Sequence, residues 1–178
     1  MRALFLDIDG VLNHEPAESY FESEKIELLN HILANTDARL VITSSWRLGA
    51  TPREMDEALS SQGVLPGRVI GITPCLDDDR GKEICEWLRN WTYRFGIEKI
   101  AILDDRDDVG ALTRFLVRTD KRRGLQIQEA DRIIVSLNAP NDEVFIQSSD
   151  SAAFFAGLTV HAEGRPKDPE MTESPERT

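Results

Sequence analysis

The start of the chain, Arg2-Ala-Leu-Phe-Leu-Asp7-Ile-Asp9-Gly10-Val11-Leu12-Asn13, constrains its fold more than any other stretch. A short apolar run of this kind reads as a buried strand, and it stops at two carboxylates one residue apart. Gly10 then lets the backbone turn sharply. Side chains alternate along a strand, but past its end the chain coils, so Asp7 and Asp9 can address one point above the strand tip. Two acids beside a glycine turn suit a hard cation and an anionic substrate. Taken alone, the same residues also suit an Asp-rich turn that only closes a strand.

Further along, short apolar strands alternate with helical spacing. Strands are predicted at Ala3–Leu6, Leu40–Ile42, Val69–Ile72, Ile100–Leu103 and Phe115–Val117. Between them, Ile26, Leu28, Leu29, Ile32 and Leu33 mark a helix over Glu24 to Leu33. Thr51-Pro-Arg-Glu54 reads as a capping box with proline at the first helical position, opening a helix that ends near Gly63. Asp79 caps a third helix running to about Tyr93, with Ile84, Cys85, Trp87, Leu88 and Trp91 on its buried side. A late helix covers Ala130–Leu137. This alternation predicts an α/β fold with a doubly wound parallel sheet, and in such sheets ligands sit at the carboxyl ends of the strands. Three predicted strand ends carry polar residues: Asp7/Asp9, Thr43/Ser44/Ser45 and Asp104/Asp105.

The chain's 178 residues suffice for one domain with a real core, expected over 1–161. The stretch 162–178, rich in Pro and Glu, is expected to be a disordered tail. No apolar run is long enough for a membrane span. The N-terminal apolar stretch is too short for a signal peptide, so a cytoplasmic location is expected. Cys75 and Cys85 are expected to be reduced, half-buried thiols. A formal net charge of −11 argues against broad nonspecific nucleic-acid binding but leaves room for a local basic groove. The densest basic run is Arg114, Arg118, Lys121, Arg122 and Arg123.

With the strand ends in order, the sequence resembles the haloacid dehalogenase-like (HAD) superfamily over roughly residues 1–140. Asp7–Leu12 matches its Asp-x-Asp-Gly-[Thr/Val]-Leu motif, Thr43 or Ser44 its second motif, Arg80 or Lys82 its basic third motif, and Asp104-Asp105 its acidic fourth. More narrowly, Ser44-Ser-Trp-Arg47, the Arg80-Gly-x-Glu83 helix start and Leu103-Asp104-Asp105 resemble HAD domains associated with RNA-repair proteins.

That resemblance implies a Rossmann-like core, Mg2+ as cofactor and a phosphomonoesterase activity. Asp7 would attack phosphorus to give an aspartyl-phosphate. Asp9 would protonate the leaving oxygen and later deprotonate water. Mg2+ would be held by the Asp7 carboxylate, the Asp9 carbonyl and an acid of the Asp104/Asp105 pair, one of the two acting through water. Thr43 or Ser44, with Ser44 placed first, would bind the phosphoryl oxygens. Arg80 or Lys82, with Arg80 placed first, would balance their charge. Asp107 and Asp108 are expected to cap the next helix, Trp46 to be buried rather than stacked on a base, and Arg47 is a candidate for a second phosphate. His14 is assigned no role.

Neither the stretch from Asp9 to Thr43 nor that from Ser45 to Asp79 is long enough for a sizeable cap domain. The site is therefore expected to be open and to suit a large phosphorylated partner such as an RNA or DNA end. The alternatives are a small-molecule phosphatase for nucleotides or sugar phosphates, covered in part by Tyr20, Phe21 or the 45–53 loop, and a non-catalytic module that binds phosphate ends.

Overall fold

The computed structural model describes residues 1–14, 21–77 and 79–140. Tyr20, the end of the expected domain and the expected tail over 162–178 lie outside them. In chain order the elements are β1 (Arg2–Leu6), α1 (Ser23–Thr36), β2 (Arg39–Ile42), α2 (Pro52–Ser61), β3 (Val69–Ile72), α3 (Arg80–Phe95), β4 (Lys99–Asp104), β5 (Leu116–Arg118) and α4 (Ile127–Asn138). Short 3-10 turns cover Ser45–Arg47 and Gly110–Phe115. No helix among the described residues is long and apolar enough to cross a membrane.

All strand pairs are parallel, in the order β3-β2-β1-β4-β5. β1 is central: Phe5 faces Val41 of β2 on one side and Ile102 of β4 on the other. Its residues are apolar on both faces because both faces are covered. Leu4 and Leu6 join Leu40, Ile42, Leu103 and the apolar sides of α1, α2 and α4 in one buried cluster. Ala3 and Phe5 point the other way, toward Ile84, Trp87 and Leu88 of α3. Phe5 meets Trp87 edge to face, with centroids 5.5 Å apart, a pairing worth about 0.5–1.5 kcal/mol beyond its burial.

Local sequence sets the helix starts. Thr51 and Glu54 close a reciprocal capping box at α2, and Asp79 accepts from the Lys82 amide at the start of α3. Caps of this type contribute about 1 kcal/mol. Four expectations are corrected. Trp91 lies beside the buried stripe of α3, which runs through Leu88 to Thr92, and is partly exposed and stacked on Phe95. β5 starts one residue later than predicted, since Gly110–Phe115 winds into a 3-10 turn. Asp107 and Asp108 cap nothing; they pair with Arg118 and Arg106. Cys75 is exposed and Cys85 buried, both unbridged, and burial pushes the Cys85 thiol up to about 11.

The start of α3 sits hard against the loop after β4. The Gly81 amide donates to the Asp108 carbonyl at 3.1 Å, and a Cβ on Gly81 would lie 2.8 Å from the Val109 carbonyl. Backbone cannot yield as a flexible side chain would, so Gly81→Ala is expected to destabilise the protein by about 1–3 kcal/mol. Scanning calorimetry would read this as a lower thermal midpoint; an unchanged midpoint would show that α3 can shift freely.

Candidate functional site

The chain leaves β1 to build β2 and β3 on one side, then returns to β4 on the other. The crevice of such a sheet opens above the carboxyl ends of β1 and β4, where this strand order reverses. Asp7 and Asp104 stand there. The Asp7 amide still donates to Leu103 at 3.0 Å, which carries the β1–β4 ladder into the site. Gly10 turns at φ 72°, and a Cβ there would come within 2.8 Å of the Asp105 carboxylate carbon. Glycine thus admits the third acid beside the first turn. Thr119, just after β5, donates its hydroxyl to the Gly10 carbonyl at 2.8 Å and fixes the far side.

Arg80 links the strand ends. Its buried guanidinium donates to Asp104 Oδ2 at 2.7 Å and to Thr43 Oγ1 at 2.7 Å, and lies 3.5 Å from Asp7 Oδ1. Ser44, just past the end of β2, is buried, and its hydroxyl accepts from the Trp46 amide at 3.4 Å. Burial raises Asp7 above the usual carboxylate range against the pull of Arg80. Asp104 is pushed up to about 7, first by burial and then by the Asp7 charge beside it, with Arg80 opposing. One guanidinium thus faces two buried acids.

The spacing of these acids bears on a cation. Asp7, Asp104 and Asp105 each offer a carboxylate oxygen, and these oxygens lie within 4.8 Å of one another. An all-oxygen donor set of this kind fits a hard divalent ion such as Mg2+. The mouth above these acids is a cavity of about 400 Å³ lined by Asp7, Asp9, Ser45, Arg80 and Asp105 among others. It adjoins a second hollow beside Arg106, Arg118 and Lys121.

The structure gathers Asp7, Asp9, Thr43, Ser44, Arg80, Asp104 and Asp105 at one place and leaves Lys82 out. Lys82 is exposed and its ammonium pairs with Asp79 at 2.9 Å; two residues past Arg80, the helix has rotated it away from the sheet. Arg47 is also not available to a second phosphate. It is buried and donates to the carbonyls of Thr43, Ser44, Thr73 and Pro74 and to Glu83, which engages every guanidinium donor it has. It clamps the ends of β2 and β3 instead.

Trp46, expected to be buried, is 39% exposed. Its indole Nε1 donates to Asp9 Oδ2 at 2.9 Å. Asn13 reaches the other oxygen of Asp9 at 3.0 Å while its own Oδ1 accepts from the Gly10 amide. His14 pairs with Glu22 at the surface. The supporting role of Glu83 was not foreseen either. It accepts from the Leu76 amide at 3.1 Å and from Arg47 at 2.8 Å, and its sequence signals are its place in the Arg80-Gly-x-Glu83 helix start and one helical turn after Arg80.

A family model described as the HAD domain in Swiss Army Knife RNA repair proteins matches residues 3–130. The chain belongs to this family. The match runs from β1 into α4, so every residue of the cluster falls inside the HAD domain. No curated protein matches the chain.

Millimolar Mg2+ is expected to raise the thermal midpoint, since a ligand of the native state at about a hundred times its Kd adds about 2.7 kcal/mol. The gain should vanish in Asp105→Asn. It should also shrink from pH 8 to pH 6, because protons compete with the ion for Asp104. Equal midpoints with and without Mg2+ in the wild type would show that the three acids do not hold the ion.

Proposed function

We propose that this HAD domain is a divalent-metal-dependent phosphomonoesterase that removes terminal phosphates from RNA strands. The observation that carries the reading is the buried Asp7–Arg80–Asp104 arrangement beside Asp105. It supplies a carboxylate nucleophile, a fixed cation and an oxygen cage at one point. The family's association with RNA repair proteins supports the choice of substrate.

Each residue has a chemical task in this reading. Asp7 Oδ attacks phosphorus in line with the ester oxygen, and the P–O bond to the strand breaks as the Asp7–phosphate bond forms. Asp9 delivers a proton to the departing oxygen, then takes one from the water that hydrolyses the aspartyl-phosphate. The Ser44 hydroxyl, buried just past the end of β2, and Arg80 meet the phosphoryl oxygens, whose charge spreads in the transition state. Thr43, engaged by Arg80, keeps that guanidinium aimed at the site. When bound by Asp7, Asp104 and Asp105, a divalent ion supplies Lewis-acid neutralisation of the phosphate charge.

The lack of a cap among the described residues favours a strand end over a metabolite. The stretch between β2 and α3 is filled by α2, β3 and the turns joining them, and no second domain rises over the cavity among the described residues. A polymer can lie across such a mouth without a lid closing on it.

Phosphate release should be measured with Mg2+ on p-nitrophenyl phosphate, mononucleotides, and RNA and DNA oligonucleotides phosphorylated at either end. The expected outcome is preferred release from an RNA end, with Asp7→Asn reducing it at least a thousandfold. Preference for mononucleotides would transfer the domain to metabolite chemistry. Absence of release, with folded protein and bound metal, would make it a binding module.

A further inference from the structure

Asp9 is held from two sides, and the two holders are not equivalent. Asn13 is buried, and its amide is already committed to the turn: Oδ1 accepts from the Gly10 amide while Nδ2 donates to Asp9 Oδ1. Removing Asn13 would therefore disturb the whole 7–13 turn. Trp46 touches the turn differently. Its indole N–H reaches Asp9 Oδ2 at 2.9 Å from a different strand end.

Three features fix that indole. The Trp46 amide donates to Ser44 Oγ at 3.4 Å. The next residue, Arg47, is tied to four carbonyls and to Glu83. The ring itself packs on Phe21, with centroids 5.3 Å apart and planes tilted by 33°. A tryptophan with this much exposed surface at a site mouth needs a reason beyond packing, and its polar edge supplies one.

On the reading of Asp9 as acid and base, which this inference takes from the proposed function, we propose that Trp46 is a positioning residue for Asp9. Asn13 alone fixes one carboxylate oxygen and leaves the group free to rotate about that tether. The indole pins the second oxygen and sets the plane from which Asp9 delivers its proton. A general acid acts only within hydrogen-bond reach of the atom it protonates, and its contribution is commonly a hundredfold or more. A swinging carboxylate forfeits part of it.

A difference between leaving groups isolates this effect. Nitrophenolate departs without protonation, whereas the alkoxide of a ribose does not. The test is kcat/KM for p-nitrophenyl phosphate and for a terminally phosphorylated oligoribonucleotide in wild type, Trp46→Phe, Trp46→Leu and Asp9→Asn. In Trp46→Phe, which keeps a ring against Phe21 but loses the N–H, the p-nitrophenyl to RNA ratio should rise at least tenfold. Asp9→Asn should move it further in the same direction. A parallel fall on both substrates, or a ratio altered only in Trp46→Leu, would make Trp46 a packing residue and overturn the proposal. A wild type inert on both substrates would instead overturn the phosphatase reading, and the positioning role with it. A second measurement needs no Trp46 variant. The Trp46 indole N–H resonance should move on Asp9→Ala while those of Trp87 and Trp91 stay, and a Trp46 signal that does not move would refute the contact.

Discussion

Everything at the mouth of this sheet depends on one buried guanidinium. Asp7 ends β1 and Asp104 ends β4, adjacent strands whose tips bring two carboxylates together away from water. Like charges so placed repel, and burial penalises each of them. Arg80 reaches in from the first turn of α3, the helix that covers the opposite face of the sheet from α1, α2 and α4, and bonds one acid while lying near the other. It also engages Thr43 at the end of β2. A single side chain thus joins three strand tips, and removing one partner of such a group would leave uncompensated charge in the interior.

Around that centre the protein commits its other polar groups to holding backbone. Arg47 bonds carbonyls at the ends of β2 and β3 and is in turn held by Glu83. Glu83 comes from the same helix turn as Arg80. The placement of the central cation and the shape of the Thr43–Ser44 loop are therefore set by one network. Shared partners of this kind couple energetically, so the effects of changing Arg47, Arg80 and Glu83 will not add.

Much of this was legible in the sequence because the signals were local. The run before Asp7 and its Gly10 turn, the Thr51–Glu54 box and the Asp79 cap each depend on residues within a few positions. The alternation of strands and helices then gave the parallel sheet, and the rule for strand ends gave the place of the site. What sequence could not resolve was orientation across the fold. Arg80 and Lys82 sit in the same turn, and only the packing of α3 on the sheet decides which one faces Asp104. Trp46 was expected inside because indoles are apolar, but its N–H found Asp9, a residue of another strand. Arg47 looked free for a ligand because three of its five acceptors, the Thr73 and Pro74 carbonyls after β3 and Glu83 of α3, lie far along the chain. The Asp107 and Asp108 pairings depend on arginines whose side-chain directions no spacing encodes.

The strand order carries a consequence for how the domain comes into being. β1 is made first and lies in the middle, flanked by β2 and by β4, whose residues emerge far later along the chain. While the chain is being synthesised, β2 can pair with β1 early, but the other flank of β1 stays an unpaired edge of apolar residues until Lys99–Asp104 arrives. Such an edge is a template for unwanted pairing with other chains. The same arrival that closes the edge delivers Asp104 beside Asp7 and gives Arg80 its partner. Protection of β1 and completion of the Asp7–Arg80–Asp104 arrangement are, for this topology, a single late event.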